Sequence, residues 1–395
     1  MPEVRPFTGL LYDPTVAGAV EHVTAPPYDV ISPVDQDRYY RESPFNVVRL
    51  ILGKDEPGDD ASTNKYSRAS SYLRSWIDQG VLKATSRPSV FPYELDFHLG
   101  GGRRRVRGVI VEVALEPLGG TIFPHERTLP GPIEDRLILL RAVQANLSPV
   151  HVVLSGAKES LDLSALLDKA TARPPDREMT DEMGTRHRLW VEATAPEEIT
   201  DPMSNESRMM IADGHHRYTV ALAHGEEMRA SRGTGPWDST MMFVVDAAAE
   251  DPPVLPIHRA VTRGATPPPR GERVRDLAEV LATLRDEDMT YGLVTMEDGE
   301  ATHHVVVLEG RPPVVCALHQ QILDRIDGIE LRFLPDAVTA ESLVLSGEAK
   351  AAYLLPPTTV DRVWEIAREG RKLPQKSTYF WPKPRTGLVI RPYLR

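Results

Sequence analysis

Cysteine is nearly absent: Cys316 is the single one among 395 residues. Internal disulfides and any cysteine-only metal cluster are therefore excluded, and the scarcity fits a reducing compartment. Cys316 lies in the apolar stretch Pro313 to Leu318 and reads as a buried structural thiol. Positive charge is also short, since 46 Lys and Arg against 57 Asp and Glu leave a formal net charge of −11. A general nucleic-acid binder needs a basic surface for phosphate contacts, so that class is disfavoured while small ligands remain compatible. No stretch approaches the ~20 apolar residues needed to span a bilayer. The opening Met1-Pro2-Glu3-Val4-Arg5-Pro6 has no apolar signal core, so a soluble cytoplasmic protein without a membrane partner is expected. The Gly-x-x-x-x-Gly-Lys-Ser/Thr pattern is missing too, which disfavours an ordinary P-loop enzyme.

What is present suits mixed structure. A hydrophobic content of 41% over this length can fill one large core or two ordinary ones, and two lobes are the default. Thirty-five prolines favour many short elements over long helical bundles. The expected class is α+β, with mixed sheets and packed helices. Thr266-Pro267-Pro268-Pro269-Arg270-Gly271 is the clearest linker, which divides the chain into a domain over 1–265 and a smaller C-terminal α/β lobe over 272–395. Asn46 to Leu52 reads as a strand, and Ala61 to Gln79 as a helix ended by Gly80. Val90 to Leu99 and Val106 to Leu115 read as paired strands around Gly100-Gly101-Gly102. Arg103, Arg104, Arg105 and Arg107 open the second of these and fit a solvated hairpin end better than a nucleic-acid contact. Farther on, a helix over Val274 to Leu284, a hairpin turning at Asp298-Gly299, and a Thr358/Asp361 capping box before a helix to about Glu369 are expected. The aromatic and basic tail Lys376 to Lys383 reads as a dock for the chain end on the core, with closure over a site as the other role open to it.

The richest chemistry lies in Met210 to Leu222, where Asp213, Gly214, His215, His216 and Arg217 sit between two apolar runs. Met209 to Ala212 reads as a short buried strand, and Tyr218, Val220, Ala221 and Leu222 begin a helical stripe. A strand-to-helix turn aims unpaired N–H groups outward and adds the positive end of the helix dipole, which suits an anion. Gly214 lets a phosphate approach the backbone, Arg217 offers a planar fork of donors, and His215 or His216 can donate hydrogen bonds or move protons. Asp213 can cap the helix or ligate magnesium. Zinc fits poorly, because adjacent helical histidines point about 100° apart and His224 lies too far along.

A second cluster, His125, Glu126, Arg127 and Thr128, follows Pro124 in a loop. Glu126 suits a general base for a substrate hydroxyl, and His125, Arg127 and Thr128 suit phosphate oxygens. An ordinary surface ion-pair cluster explains the same residues. Asp29, in Ala25-Pro26-Pro27-Tyr28-Asp29, is the rival carboxylate, although on local sequence alone a turn-forming aspartate is the better reading.

Pro124 to Thr128, Glu134-Asp135-Arg136-Leu137, Asn146-Leu147-Ser148-Pro149, Ala212 to Arg217, Lys376 to Phe380 and Thr386-Gly387-Leu388, in this order over nearly the whole chain, resemble the uncharacterised family catalogued as domain of unknown function 1015. More distantly, the strand followed by an Asp-Gly-His-His-Arg box resembles the phosphate-binding turn of the ParB/sulfiredoxin-like superfamily, which includes CTP-binding partition proteins, ATP-using sulfiredoxin and a free-serine kinase. That resemblance implies a nucleotide-binding core without a Walker loop. Thr219 stands where the family commonly has Glu, and Pro335 where it has His before the later Asp; sulfiredoxin's cysteine position holds a histidine here. The resulting expectation is a phosphotransferase that uses ATP or ADP with magnesium on a small hydroxylated metabolite, by resemblance serine. Gly214, His215, His216 and Arg217 would hold phosphate, Asp213 would assist the metal or hydroxyl, and Glu126 would lead as base. The alternative is a non-catalytic nucleotide-binding regulator, and a homo-oligomer is compatible with either.

Overall fold

A computed structural model of the chain describes residues 2–127, 130–154, 163–206, 208–268 and 270–393. It is α+β and divides into two compact units. Unit 1 comprises Met1–Pro124, Thr128–Pro252 and Pro382–Arg395, and unit 2 comprises His125–Arg127 and Pro253–Trp381. The proline-rich stretch 266–271, expected as the boundary, lies inside unit 2. The physical reason is hydrogen bonding: the strand His258–Arg263 before it pairs antiparallel with Glu330–Leu334 and Ala351–Leu354 after it. The tail divides as well, with Lys376 to Trp381 in unit 2 and the rest in unit 1.

Unit 1 is built on a mixed sheet with nine strands among the described residues. From one edge the order is Ile122–Phe123, Met209–Asp213, Val150–Leu154, Ser239–Asp246, Gly102–Ala114, Phe91–Leu99, Arg186–Leu189 and Arg177–Thr180, with Val4–Arg5 on the Gly102–Ala114 strand. Ser239–Asp246 runs parallel to Val150–Leu154, whereas Met209–Asp213 runs antiparallel to it. These central strands are mostly apolar and buried on both faces, as strands covered on two sides must be. One face packs Val109, Val111, Val152, Ile211 and Val244 against Leu163, Leu167, Ile199 and Met203 of two helices, Leu163–Ala170 and Glu197–Glu206. A second core joins Leu10, Tyr39, Val48, Leu73 and Trp76 to Leu139 and Val143 of the helix Pro130–Val143.

The expected helix over 61–79 is observed as Lys65–Asp78, closed at its start by a reciprocal Asn64/Ser67 capping box. Asn46 to Leu52 is not a strand. Asn46 turns its side chain into the backbone, accepting from Val48 N–H at 2.9 Å, and Val48–Ile51 forms one helical turn. The four arginines of the long hairpin are engaged within the unit: Arg103 pairs with Asp96, Arg104 with Asp251, Arg105 with Glu94, and Arg107 with Asp168 and Glu250.

Unit 2 holds a six-stranded sheet in which each pairing is antiparallel. Period-two alternation sends Tyr291, Leu293 and Tyr353 to one face, beneath the helix Val314–Gln321. Val294, Ala352 and Leu354 face the helices Leu277–Thr283 and Ala337–Leu345 on the other. The hairpin turns where expected, with left-handed Asp298 and Gly299 at φ 50° and 84°. The helix over 274–284 begins three residues late because Glu272–Val274 pairs as a strand, and the capping residue before Val360–Arg368 is Thr359.

The central sheet of unit 1 leaves no room at Gly108, where an added Cβ would collide with the carbonyl oxygen of Val244 and lie 2.6 Å from the Phe243 ring. Gly108→Ala is expected to lower stability by about 1–3 kcal/mol through overpacking. In urea unfolding the midpoint should fall with little change in slope, and an unchanged midpoint would contradict this packing.

Candidate functional site

The strand Met209–Asp213 ends in an irregularity of register. Ile211 stands opposite Val152, but Asp213 stands opposite His151, so one extra residue is accommodated between them. A bulge of this kind re-aims the side chain that follows it, here Asp213. Gly214 then turns the chain with φ 94° and serves as the N-cap of the helix His215–Arg232, making no side-chain cap bond. Asp213 is therefore the last strand residue and does not cap the helix.

Gly214 suits this position in two ways. Its left-handed backbone suits a residue without Cβ. In addition, Arg217 folds back over it, so that a Cβ there would lie 2.9 Å from Arg217 Nε. The space above Gly214 is thus filled by a guanidinium. Arg217 donates to Asp213 Oδ2 at 2.5 Å and to the carbonyl oxygen of Pro149, which fixes its fork between the end of one strand and the start of the next.

The other oxygen of Asp213 meets a residue that local sequence reasoning did not assign to the site. Lys383 donates from Nζ to Asp213 Oδ1 at 2.6 Å and to Asp29 Oδ2 at 3.2 Å. Its side chain is only 8% exposed, so this ammonium is held between two carboxylates largely out of water. Burial would push the Asp213 carboxyl up, but Lys383 and Arg217 beside it hold it well below the usual carboxylate range. His151 beneath it is pushed down to about 4 by burial; Asp213 opposes that shift, and Arg217 and Lys383 add to it. His215 is buried at the first helical position and His216 is half-buried beside it.

Two short proline-rich segments bring Asp29 and Lys383 together. Ala25 and Thr386 exchange backbone hydrogen bonds at 3.2 and 2.8 Å as an antiparallel bridge. Counting away from that bridge in opposite directions leads through Pro26 and Pro27 to Asp29, and through Pro384 to Lys383. Prolines restrict both paths to few conformations. The sequence signal for Lys383 was its position between Pro382 and Pro384, but nothing local ties it to a box 170 residues earlier.

Tyr28 lies in the same neighbourhood, with the Arg136 guanidinium stacked 4.3 Å above its ring. Burial and the adjacent Asp29 raise its hydroxyl pKa, whereas Arg136 and Arg217 oppose this. Two cavities, of about 70 and 320 Å³, share Tyr28, Ile51, Arg136 and Leu139 in their walls, and Arg217 lines the smaller one.

The second expected cluster lies in the other unit. His125 is fully buried, and its Nε2 is 2.7 Å from Thr378 Oγ1. Glu126 Oε1 accepts from Ser377 N–H at 2.9 Å, Thr378 N–H at 3.1 Å and Thr378 Oγ1 at 3.1 Å. Glu126 thus anchors the segment Ser377–Thr378, and Leu373 N–H donates to the His125 carbonyl at 2.8 Å. Arg127 is exposed, and Thr128 lies outside the described residues. Asp213, Arg217, Lys383 and Asp29 form one constellation in unit 1, and His125, Glu126 and Thr378 form another in unit 2.

A family model described as Protein of unknown function (DUF1015) matches residues 4–328. No curated protein matches the chain. Among solved structures, a free serine kinase in complex with AMP is 15% identical, with a TM-score of 0.37 over 71% of this chain and 92% of its own. A conserved hypothetical protein from Pyrococcus furiosus is 15% identical, with 0.35 over 70% and 93%. SbnI with C-terminal truncation from Staphylococcus aureus is 12% identical, with 0.40 over 71% and 87%.

The depressed Asp213 pKa fixes a pH dependence. Such a group contributes stability that is present above its unfolded pKa of about 3.9 and lost as pH falls towards its folded value. Asp213→Asn should be less stable than wild type at pH 7 by about 3 kcal/mol, because Lys383 and Arg217 lose a buried counter-charge. It should also lose less stability than wild type on acidification below pH about 4. Urea titrations at stepped pH measure this, and parallel acid profiles would contradict it.

Proposed function

The chain belongs to the family Protein of unknown function (DUF1015), and we propose that it is a nucleotide-dependent phosphotransferase acting on a small hydroxylated metabolite. The observation that carries this reading is the Lys383 ammonium held between Asp213 and Asp29 beside Arg217, at the start of an 18-residue helix whose N-cap supplies no side-chain bond. Two cations, first-turn N–H groups and the positive end of a helix dipole suit a transferred phosphate, and phosphoryl transfer depends mainly on such positioning and charge neutralisation. Gly214, His215, His216 and Arg217 would supply the phosphate-binding turn, with His215 as its proton-bearing member.

Asp29 is the better general base on this geometry. Glu126 Oε1 already receives three donors within unit 2, whereas Asp29 stands on the same ammonium as Asp213. The substrate hydroxyl oxygen would form a bond to the terminal phosphorus of ATP, the bond from that phosphorus to the ADP oxygen would break, and the hydroxyl proton would pass to Asp29. With ADP as donor the leaving group would be AMP. His125 would serve by supporting the Ser377–Thr378 segment of unit 2.

Magnesium fits this site chemically. No cluster of three or more metal-ligating side chains exists among the described residues, but magnesium commonly takes one or two carboxylates together with phosphate oxygens. Asp213 would hold it, and bound there it would neutralise phosphate charge. The cavity of about 320 Å³ beside Tyr28 and Arg136 is of the size that small ligands occupy.

A thermal-shift screen with ATP, ADP, CTP and GTP, with and without magnesium, tests the reading. One nucleotide should stabilise wild type, and Arg217→Ala should lose that shift. Asp29→Asn should keep the shift but lose phosphorylation of a hydroxylated acceptor by at least a hundredfold. No shift with any nucleotide would overturn the proposal, and a shift without turnover for any acceptor would favour a nucleotide-binding regulator instead.

A further inference from the structure

Two residues beyond Lys383, the chain is gripped by a buried network that the site chemistry does not use. Arg385 is 4% exposed, and its guanidinium pairs with Glu182 through Nη1 at 2.7 Å and Nη2 at 3.1 Å. Its Nε and Nη2 also reach Thr24 Oγ1 and the Thr24 carbonyl oxygen, each at 3.3 Å. Thr24 directly precedes the Ala25–Thr386 bridge. Glu182 is fixed in turn by the Tyr39 hydroxyl.

The Arg385 backbone is gripped separately. Its N–H donates to Tyr93 Oη at 3.1 Å, Tyr93 Oη lies 2.6 Å from His187 Nδ1, and His187 Nε2 lies 3.1 Å from Asp181 Oδ2. A carboxylate can only accept, so His187 donates from Nε2, its Nδ1 accepts, and the Tyr93 hydroxyl donates to it. Tyr93 and His187 are each 1% exposed. A chain of three polar side chains with all these groups satisfied costs little to bury and leaves little freedom to what it holds. What it holds is the N–H of Arg385.

We propose that Arg385, Glu182 and the Tyr93–His187–Asp181 chain are positioning residues that set Lys383 between Asp213 and Asp29; the functional meaning of this inference rests on the phosphotransferase reading, but the positioning itself does not. Lys383 has four side-chain carbons between backbone and ammonium, and Pro382 and Pro384 restrict the backbone on either side without donating any hydrogen bond. Past Pro384, Arg385 supplies both a backbone donor and a guanidinium that anchor this segment within unit 1. These groups all lie in unit 1.

The test needs no ligand. The full chain is treated with the amine-acylating reagent N-hydroxysuccinimidyl acetate, and modification at each lysine is followed by mass spectrometry, with the 72% exposed Lys169 as internal reference. Lys383 should react slowly in wild type. Relative to Lys169 it should react at least fivefold faster in Glu182→Gln and in Tyr93→Phe, and remain slow in Glu182→Asp, which keeps the charge. Glu250→Gln, which breaks the Arg107 ion pair elsewhere in the same unit, controls for general loosening and should leave Lys383 slow. Unchanged Lys383 reactivity in folded Glu182→Gln, or equal acceleration in Glu250→Gln, would overturn the inference; if Tyr93→Phe does not fold, the Glu182 pair decides. If instead Lys383→Met binds ATP as wild type does, the phosphotransferase reading fails while the acylation result still stands or falls alone.

Discussion

The arrangement of the site depends on one cation. Lys383 is the group that makes a half-buried Asp213 tolerable, because a carboxylate partly taken out of water needs compensating charge close by. Arg217 supplies part of that charge and is committed to Asp213 Oδ2 and to the Pro149 carbonyl. Lys383 neutralises Oδ1 and brings Asp29 within 3.2 Å. Two acids and two bases then share one small region with balanced formal charge. On the phosphotransferase reading proposed above, phosphate oxygens would take over the donors that the carboxylates now occupy.

Several unrelated features of the chain become necessary once this ion pair is taken as given. The bulge before Asp213 aims the carboxylate; left-handed Gly214 clears the path of Arg217; and the prolines around Asp29 and Lys383 stiffen the two segments that meet at Ala25 and Thr386. The C-terminal segment from Pro382 onward is bonded to unit 1 along its course. It is threaded through unit 1 by Leu10 and Ile390, which exchange backbone hydrogen bonds, and by Arg391, which binds Glu112 and Asn146.

Much of this was legible in the sequence where the signal was local. The strand-to-helix turn at Asp213-Gly214 follows from apolar periodicity on both sides of a glycine, and both elements are present as expected. Arg217 at the i+4 position from Asp213 is equally a local matter. The assignment of Asn46 to Leu52 to a strand failed because β-branched and apolar residues suggested extension, while the Asn46 side chain closed a helical turn instead. The domain boundary was hidden because a proline-rich stretch resembles a linker whether or not the strands on either side share a sheet.

The role of Lys383 was out of reach for a different reason. Its partner Asp213 is fixed by tertiary threading, and no periodicity reports that the last residues of a chain return to its first unit. Glu126 shows another limit: its carboxylate accepts from the backbone N–H groups of Ser377 and Thr378, a contact across about 250 residues that composition does not report. The most direct test of the account is a calorimetric titration of ATP with magnesium into the wild-type chain and Lys383→Met, both shown to be folded. Binding in wild type that weakens at least tenfold in the variant is the expected result. Equal affinity in the two would show that the ammonium between Asp213 and Asp29 is a structural ion pair and that the phosphate site lies elsewhere.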